Sequence, residues 1–158
     1  MKKRIFNTMV VISLTAALGA CSPSDDSNQP NISSAEQTAN LVRQGTWEIT
    51  YFYDTDQDET GNFSGYSFSF NQDGTLVAVN GSTTVTGSWS VVDGSNNSSD
   101  DDGSSSDDDD FNIFFSAPRD FEDLTDDWDI ISSSETKIEL IDVSGGNGGT
   151  DYLTFTKN

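Results

Sequence analysis

The feature that constrains this chain most is a period of two in its apolar residues, running from Thr46 almost to the C-terminus. In residues 46–53, Trp47, Ile49, Tyr51 and Tyr53 fall on one face. Residues 64–70 set Tyr66, Phe68 and Phe70 against Ser67 and Ser69. Asn71-Gln72-Asp73-Gly74 is a hairpin connection with Asp-Gly as its turn signal. Residues 75–80 and 83–92 follow as strands around the tight turn Gly81-Ser82, and Val85, Gly87, Trp89 and Val91 share a face. Residues 111–115, 128–132, 137–143 and 152–156 complete a set of eight. No helix long enough for a parallel crossover fits between any two of them, so the fold is all-β and antiparallel, either a small barrel or a sandwich.

Two short helical segments interrupt the pattern. Residues 33–44 form a helix with Ser33 as its cap and Glu36 three residues on. Leu41 and Val42 supply an apolar patch, and Gly45 marks the stop. This helix is expected to brace one end of the domain. Residues 118–124 make a helical turn, with Phe121 and Leu124 three apart.

Gly45-Thr46-Trp47 opens the first strand, and Gly87-Ser88-Trp89 repeats that spacing on the fourth. With these motifs the chain resembles the lipocalin-like proteins, the calycin barrels. Residues 45–89 and 128–158 are similar to uncharacterised lipocalin-like lipoproteins of Bacteroidetes. The resemblance implies a single antiparallel eight-stranded lipocalin-like β-barrel with a short N-terminal helix, over residues 33–158. There are departures from the pattern. Thr150-Asp151-Tyr152 spells a second lipocalin motif but sits on the last strand, where lipocalins have more chain to follow. The arginine that packs on the first-strand tryptophan in lipocalins is missing, and the nearest cation at that end is Lys157. Ligand specificity therefore does not carry over.

The N-terminus reads as a targeting segment. Lys2, Lys3 and Arg4 precede an apolar run, and Leu18-Gly19-Ala20 leads into Cys21, the one cysteine of the chain. This order resembles the bacterial lipoprotein signal. It implies removal of residues 1–20 and lipidation of Cys21, with membrane attachment through acyl chains that contribute about 0.8 kcal/mol per buried methylene. Residues 21–32 are a polar tether. Ser24-Asp25-Asp26 resembles the acidic export tag of Bacteroidetes lipoproteins, which implies an outer-membrane anchor facing the cell surface, with the periplasmic face as the alternative.

Charge and composition remove several functions. The chain carries a formal charge of −20 with 27 acids, and three of its seven cations lie in the signal. Such a surface repels nucleic acid. There is no histidine, and Cys21 is committed to lipid, so Ser-His and Cys-His catalysis and histidine-based zinc sites are excluded.

Residues 93–110 hold aspartate, serine, glycine and asparagine with nothing to bury, and read as a disordered solvating loop dispensable for folding. Asp54, Asp56 and Asp58 place oxygens at alternate positions, as at the start of a calcium loop. Glu59 stands where that loop needs glycine and Gly65 where it needs glutamate, so an acidic hairpin is the first reading and weakly bound calcium the second. Paired carboxylates could run glycoside hydrolysis, but acids this dense pair by accident.

The expected inward set is Trp47, Ile49, Tyr51, Tyr53, Tyr66, Phe68, Phe70, Leu76, Ala78, Val85, Gly87, Trp89, Val91, Phe111, Ile113, Phe115, Trp128, Ile130, Ile138, Leu140, Leu153 and Phe155. Half of these are aromatic, enough to fill an eight-stranded barrel. The functional expectation is a non-catalytic module that binds a small ligand at a barrel mouth. A partner-binding or structural surface protein with a filled barrel is the alternative, and a carboxylate hydrolase is a distant third.

Overall fold

The computed structural model describes residues 32–94, 109–143 and 149–158. Residues 1–31, which include Cys21 and the expected signal, tether and export tag, together with positions 95–108 and 144–148, lie outside the described residues.

The strands are β1 (Trp47–Asp54), β2 (Gln57–Asp58), β3 (Ser67–Phe70), β4 (Thr75–Asn80), β5 (Thr83–Val92), β6 (Asp110–Phe114), β7 (Asp126–Ser133), β8 (Lys137–Val143) and β9 (Thr150–Lys157). All pairings are antiparallel, and β9 returns to β1 from Trp47↔Lys157 to Tyr53↔Tyr152. That last pairing closes an eight-stranded barrel and excludes the sandwich. β2 is a two-residue addition that pairs back onto β1 outside the ring.

Local chemistry accounts for the connections. Asp73 Oδ1 accepts from the Thr75 N–H, and Gly74 turns at φ +83°, where an L side chain would be strained. Residues 64–66, expected as strand, instead follow a 3-10 turn, Thr60–Phe63, which carries Phe63 under the barrel end.

Two helices cover the two ends. The first, α1 (Ser34–Val42), is capped by Ser33 Oγ, which accepts from the Glu36 N–H at 3.2 Å. Its buried face is Ala35, Thr38, Ala39 and Val42, the i, i+4, i+7 spacing of a helical stripe, and Leu41 is only half-buried. α1 lies across the end where β1 begins. There the Trp47 indole N–H donates to the Val42 carbonyl at 2.8 Å, and the Thr38 and Ser133 hydroxyls meet at 2.9 Å. Lys157 Nζ stands 5.6 Å from the Trp47 ring centroid, so a lysine takes the cationic position over that tryptophan. The second helix, α2 (Arg119–Glu122), brings Phe121 under the opposite end, and Leu124 is buried just beyond it.

The inward set is as expected at most positions, with one clear correction. Tyr51 is 41% exposed and Tyr53 half-buried, while Phe52 is fully buried. The cause is a bulge: Ile49 pairs with Phe155 but Tyr51 with Thr154, so Thr50 is an extra residue and the alternation flips beyond it. A second bulge lies between Ile130 and Ser132, and Ile131, which alternation already turns outward, is exposed there. Gly87 faces inward, and the Phe115 ring fills the space a side chain would take.

The interior is packed with rings. Phe70 meets Trp89, Phe111 and Phe155 edge-on at centroid distances of 5.3, 5.7 and 5.4 Å. Toward the other end, Phe121 meets Phe63, Tyr66 and Phe115 edge-on at 5.3, 5.1 and 5.0 Å. Edge-to-face pairs at these distances add about 0.5–1.5 kcal/mol each beyond burial. Among the described residues, no buried side-chain nitrogen or oxygen lacks a hydrogen-bond partner.

Candidate functional site: the acidic mouth of the barrel

Pairing places the chemistry at the barrel end opposite α1. Asp54 ends β1, Asp126 begins β7, Asp142 lies near the end of β8 and Asp151 near the start of β9. Each continues the inward-facing parity of its strand, after Phe52, before Trp128, after Leu140 and before Leu153. Asp142 and Asp151 are register partners, and Asp126 pairs with inward Ile113. Four strands thus end in a ring of carboxylates over a floor that includes Phe52 and Trp128, whose rings meet edge-on at 6.3 Å.

The β1–β2 hairpin extends this ring. Thr55, at its tip, has φ +53°, the one positive φ outside glycine among the described residues. Its N–H donates to Asp151 Oδ1, tying hairpin to rim. Asp54, Glu59 and Asp123 bring carboxylate oxygens within 4.8 Å of one another. Of the sequence-predicted trio, Asp54 joins this group, whereas Asp56 and Asp58 are exposed on the hairpin. Asp58 Oδ1 instead accepts from the Thr60 N–H at 3.1 Å. Glu59 and Asp123 are the partners that sequence spacing missed. Asp123 is remote in the chain, and only the pairing of β7 beside β6 and β8 carries its loop there. The three oxygens are those able to meet one hard cation; without one they repel.

That repulsion shows in the protonation equilibria. Burial, then the charges of Asp123, Asp54 and Asp120, holds the Glu59 carboxyl above its ordinary range, with Arg119 opposing. Burial likewise raises Asp151, opposed by the Thr55 N–H and supported by Asp54 and Asp142. Asp126 moves furthest. Burial, then a hydrogen bond with the Asp127 carboxyl, pushes it up to about 7, and the charges of Asp142 and Asp127 act in the same direction. A carboxyl in this state can hold or release a proton near neutrality.

The sign of the consequence follows from linkage. The raised pKa means that the folded state keeps a proton that the unfolded state loses near pH 3.8. The associated stability is complete below that value and is lost as pH rises through about 7. Asp58, Asp73 and Glu139, held low by hydrogen bonds, act oppositely and lose their contribution as pH falls below the ordinary carboxylate range. Stability should therefore peak near the ordinary carboxylate range, at about pH 4–5, decline from there to about pH 7 and level off above it. Because Asp126 is only half-buried, solvent screening limits its part to roughly 1–2 kcal/mol. Urea titrations at several pH values should show Asp126→Asn gaining about that much at pH 8 and flattening the decline. An unchanged profile in Asp126→Asn would mean that other carboxylates set it.

On the outer wall, a shallow groove of about 500 Å³ runs over β5, β6 and β7, lined by Ser88, Ser90, Asn112, Phe114, Thr125 and Asp127. Phe114 is 55% exposed there.

No family model matches this chain, and no curated protein does. Among solved structures the chain is similar to a DUF4847 family protein from Bacteroides vulgatus, at 16% identity and a TM-score of 0.47, covering 75% of this chain and 96% of that one.

Proposed function

We propose that this chain is a cell-envelope lipoprotein, anchored through lipid on Cys21, whose lipocalin-like barrel is a non-catalytic binding module that works through its outer surface and mouth. The observation that carries this reading is the filled interior. Rings from β1, β3, β5, β6, β7, β9 and α2 meet one another across the barrel axis, and the largest of them are essentially inaccessible. An eight-stranded barrel has room for side chains or for one small ligand. Side chains occupy it here, so recognition falls to the outside. The order of basic start, apolar run, small residues and Cys21 supports the anchor, and Ser24-Asp25-Asp26 supports a cell-surface location.

The test has two arms. In the native host, the Cys21→Ser chain should remain uncleaved and take up no acyl label; normal processing would remove the lipoprotein assignment. In the second arm, residues 31–158 are titrated with long-chain fatty acids while tryptophan emission is followed. Binding should be weak and unsaturable. Saturable binding below about 1 μM would establish a lumenal carrier instead. One observation favours a carboxylate hydrolase, the proton held by Asp126 near Asp142. Hydrolysis of a glycoside abolished in Asp126→Asn would establish that class.

A further inference from the structure

The bulge at Thr50 has a consequence on the outer wall. It turns both Tyr51 and Tyr53 outward, and their rings stack 6.4 Å apart at 15°. The ladders set Tyr53 beside Tyr152, Tyr152 beside Ile141, and Ile141 beside Asp129. On the other side, Tyr53 pairs with Asp58 of β2. Register partners in an antiparallel sheet point to the same face. The outer wall therefore carries one row across five strands: Asp58, Tyr53, Tyr152, Ile141 and Asp129, with Tyr51 stacked beside it. Tyr51 and Tyr152 are 41% and 37% exposed, and Val143 adds 48% exposed apolar surface next to them.

We propose that this row is a docking surface for a lysine- or arginine-bearing segment of a protein partner. The inference rests on the reading that the barrel acts through its outside. Charge complementarity carries it. Aspartates flank the row at both ends, and Asp54, Asp142 and Asp151 of the mouth lie one residue from it along their strands. Arg43 stands over Trp89, Lys157 over Trp47, and Lys137 is bonded to Glu139 at 2.7 Å, so these three cations already have aromatic or acidic partners. Exposed aromatic faces attract cations through their quadrupole, and a ring of carboxylates strengthens that attraction. The same charge argues against other occupants. A second copy of the chain would set aspartate against aspartate across an isologous contact. Residues 22–31, 95–108 and 144–148 contain no lysine or arginine, so these segments of the chain are poor partners for the row.

The probe is a blocked decapeptide of alternating arginine and serine, titrated calorimetrically into the detergent-solubilised full chain at low and physiological salt. Saturable binding that weakens with salt is expected. Replacing Tyr51, Tyr53 and Tyr152 together by serine leaves the charge untouched and should weaken binding at least about tenfold, whereas the triple phenylalanine variant should retain it. Asp58→Asn should weaken it roughly two- to threefold, since asparagine keeps the acceptor for Thr60. Equal unfolding midpoints exclude a folding defect, Tyr51 and Tyr152 being exposed and Tyr53 half-buried. Unaltered affinity in the serine variant would overturn the proposal and leave only adventitious attraction to an acidic protein. Binding of a neutral glucose hexasaccharide that the serine variant loses, with no peptide binding, would make the row a glycan platform and also overturn it. Either result leaves the filled-barrel reading standing, which fails only on saturable fatty-acid binding.

Discussion

Truncating Trp89 to alanine should destabilise the barrel by about 3–5 kcal/mol, read as a lower urea midpoint at unchanged slope. Trp89 is 5% exposed, and its ring meets Phe70 edge-on at 5.3 Å and stacks on Phe111 at 6.0 Å. Its indole N–H donates to the Asn71 carbonyl at 3.0 Å, and its backbone N–H to the Gly74 carbonyl at 2.9 Å. The Arg43 guanidinium, just past α1, stands 5.3 Å from the ring centroid. One side chain thus joins the barrel interior, the β3–β4 turn and the covering helix. Removing it leaves a cavity among rigid rings that cannot collapse to fill it. Trp89→Phe separates the contributions. It keeps most of the packing and loses the Asn71 hydrogen bond, so about 1–2 kcal/mol is expected. A loss in Trp89→Ala below about 1 kcal/mol would mean that the ring cluster is loosely packed.

Adding a single methyl group should be nearly as damaging at Gly87. A Cβ there would lie 2.3 Å from the Phe114 carbonyl oxygen and 2.6 Å from Phe115 Cδ1. Gly87 has no unusual backbone angle, so the glycine is demanded by proximity and not by conformation. The carbonyl belongs to β6, where Ser88 pairs with Phe114, so it cannot withdraw without opening the β5–β6 ladder. Gly87→Ala should cost about 3 kcal/mol, the upper end for overpacking. Shortening the ring in Gly87→Ala/Phe115→Leu should recover only part of the loss. Full recovery in the double variant would show that the ring is the obstacle and that the backbone yields.

These two positions belong to one arrangement. Gly87 and Trp89 lie two apart on β5, so both face inward. The glycine gives room for Phe115, and the tryptophan fills the space beyond. The Gly-x-Trp spacing is a packing device that admits one large ring by omitting a side chain beside it. At Gly45 a Cβ would meet Lys157 Cε at 2.9 Å, so the same spacing there leaves room for the cation over Trp47.

The alternation of apolar residues by itself determined where the strands run to within a few residues and that aromatic residues fill the domain, and the lack of room for crossover helices between the strands determined that they are antiparallel. Period two is a local property of the pleat, so each strand declares its faces without knowledge of its neighbours. The helix cap at Ser33 and the turn at Asp73-Gly74 were legible for the same reason, since their hydrogen bonds span only a few residues. Closure was not legible, because it depends on Tyr53 meeting Tyr152 across almost the whole domain. Nor was the face of Tyr51, Phe52 and Tyr53. A bulge is the answer of one strand to the register of another, and Thr50 carries no local mark of it. The acidic mouth was likewise hidden. Asp54, Glu59, Asp123, Asp126, Asp142 and Asp151 come from separate connections and strand ends, and in a chain with 27 acids nothing singles them out. Only the closed ring of strands brings those ends to one rim, where burial and a hydrogen bond with Asp127, and after them the charge of Asp142, raise Asp126 toward neutrality.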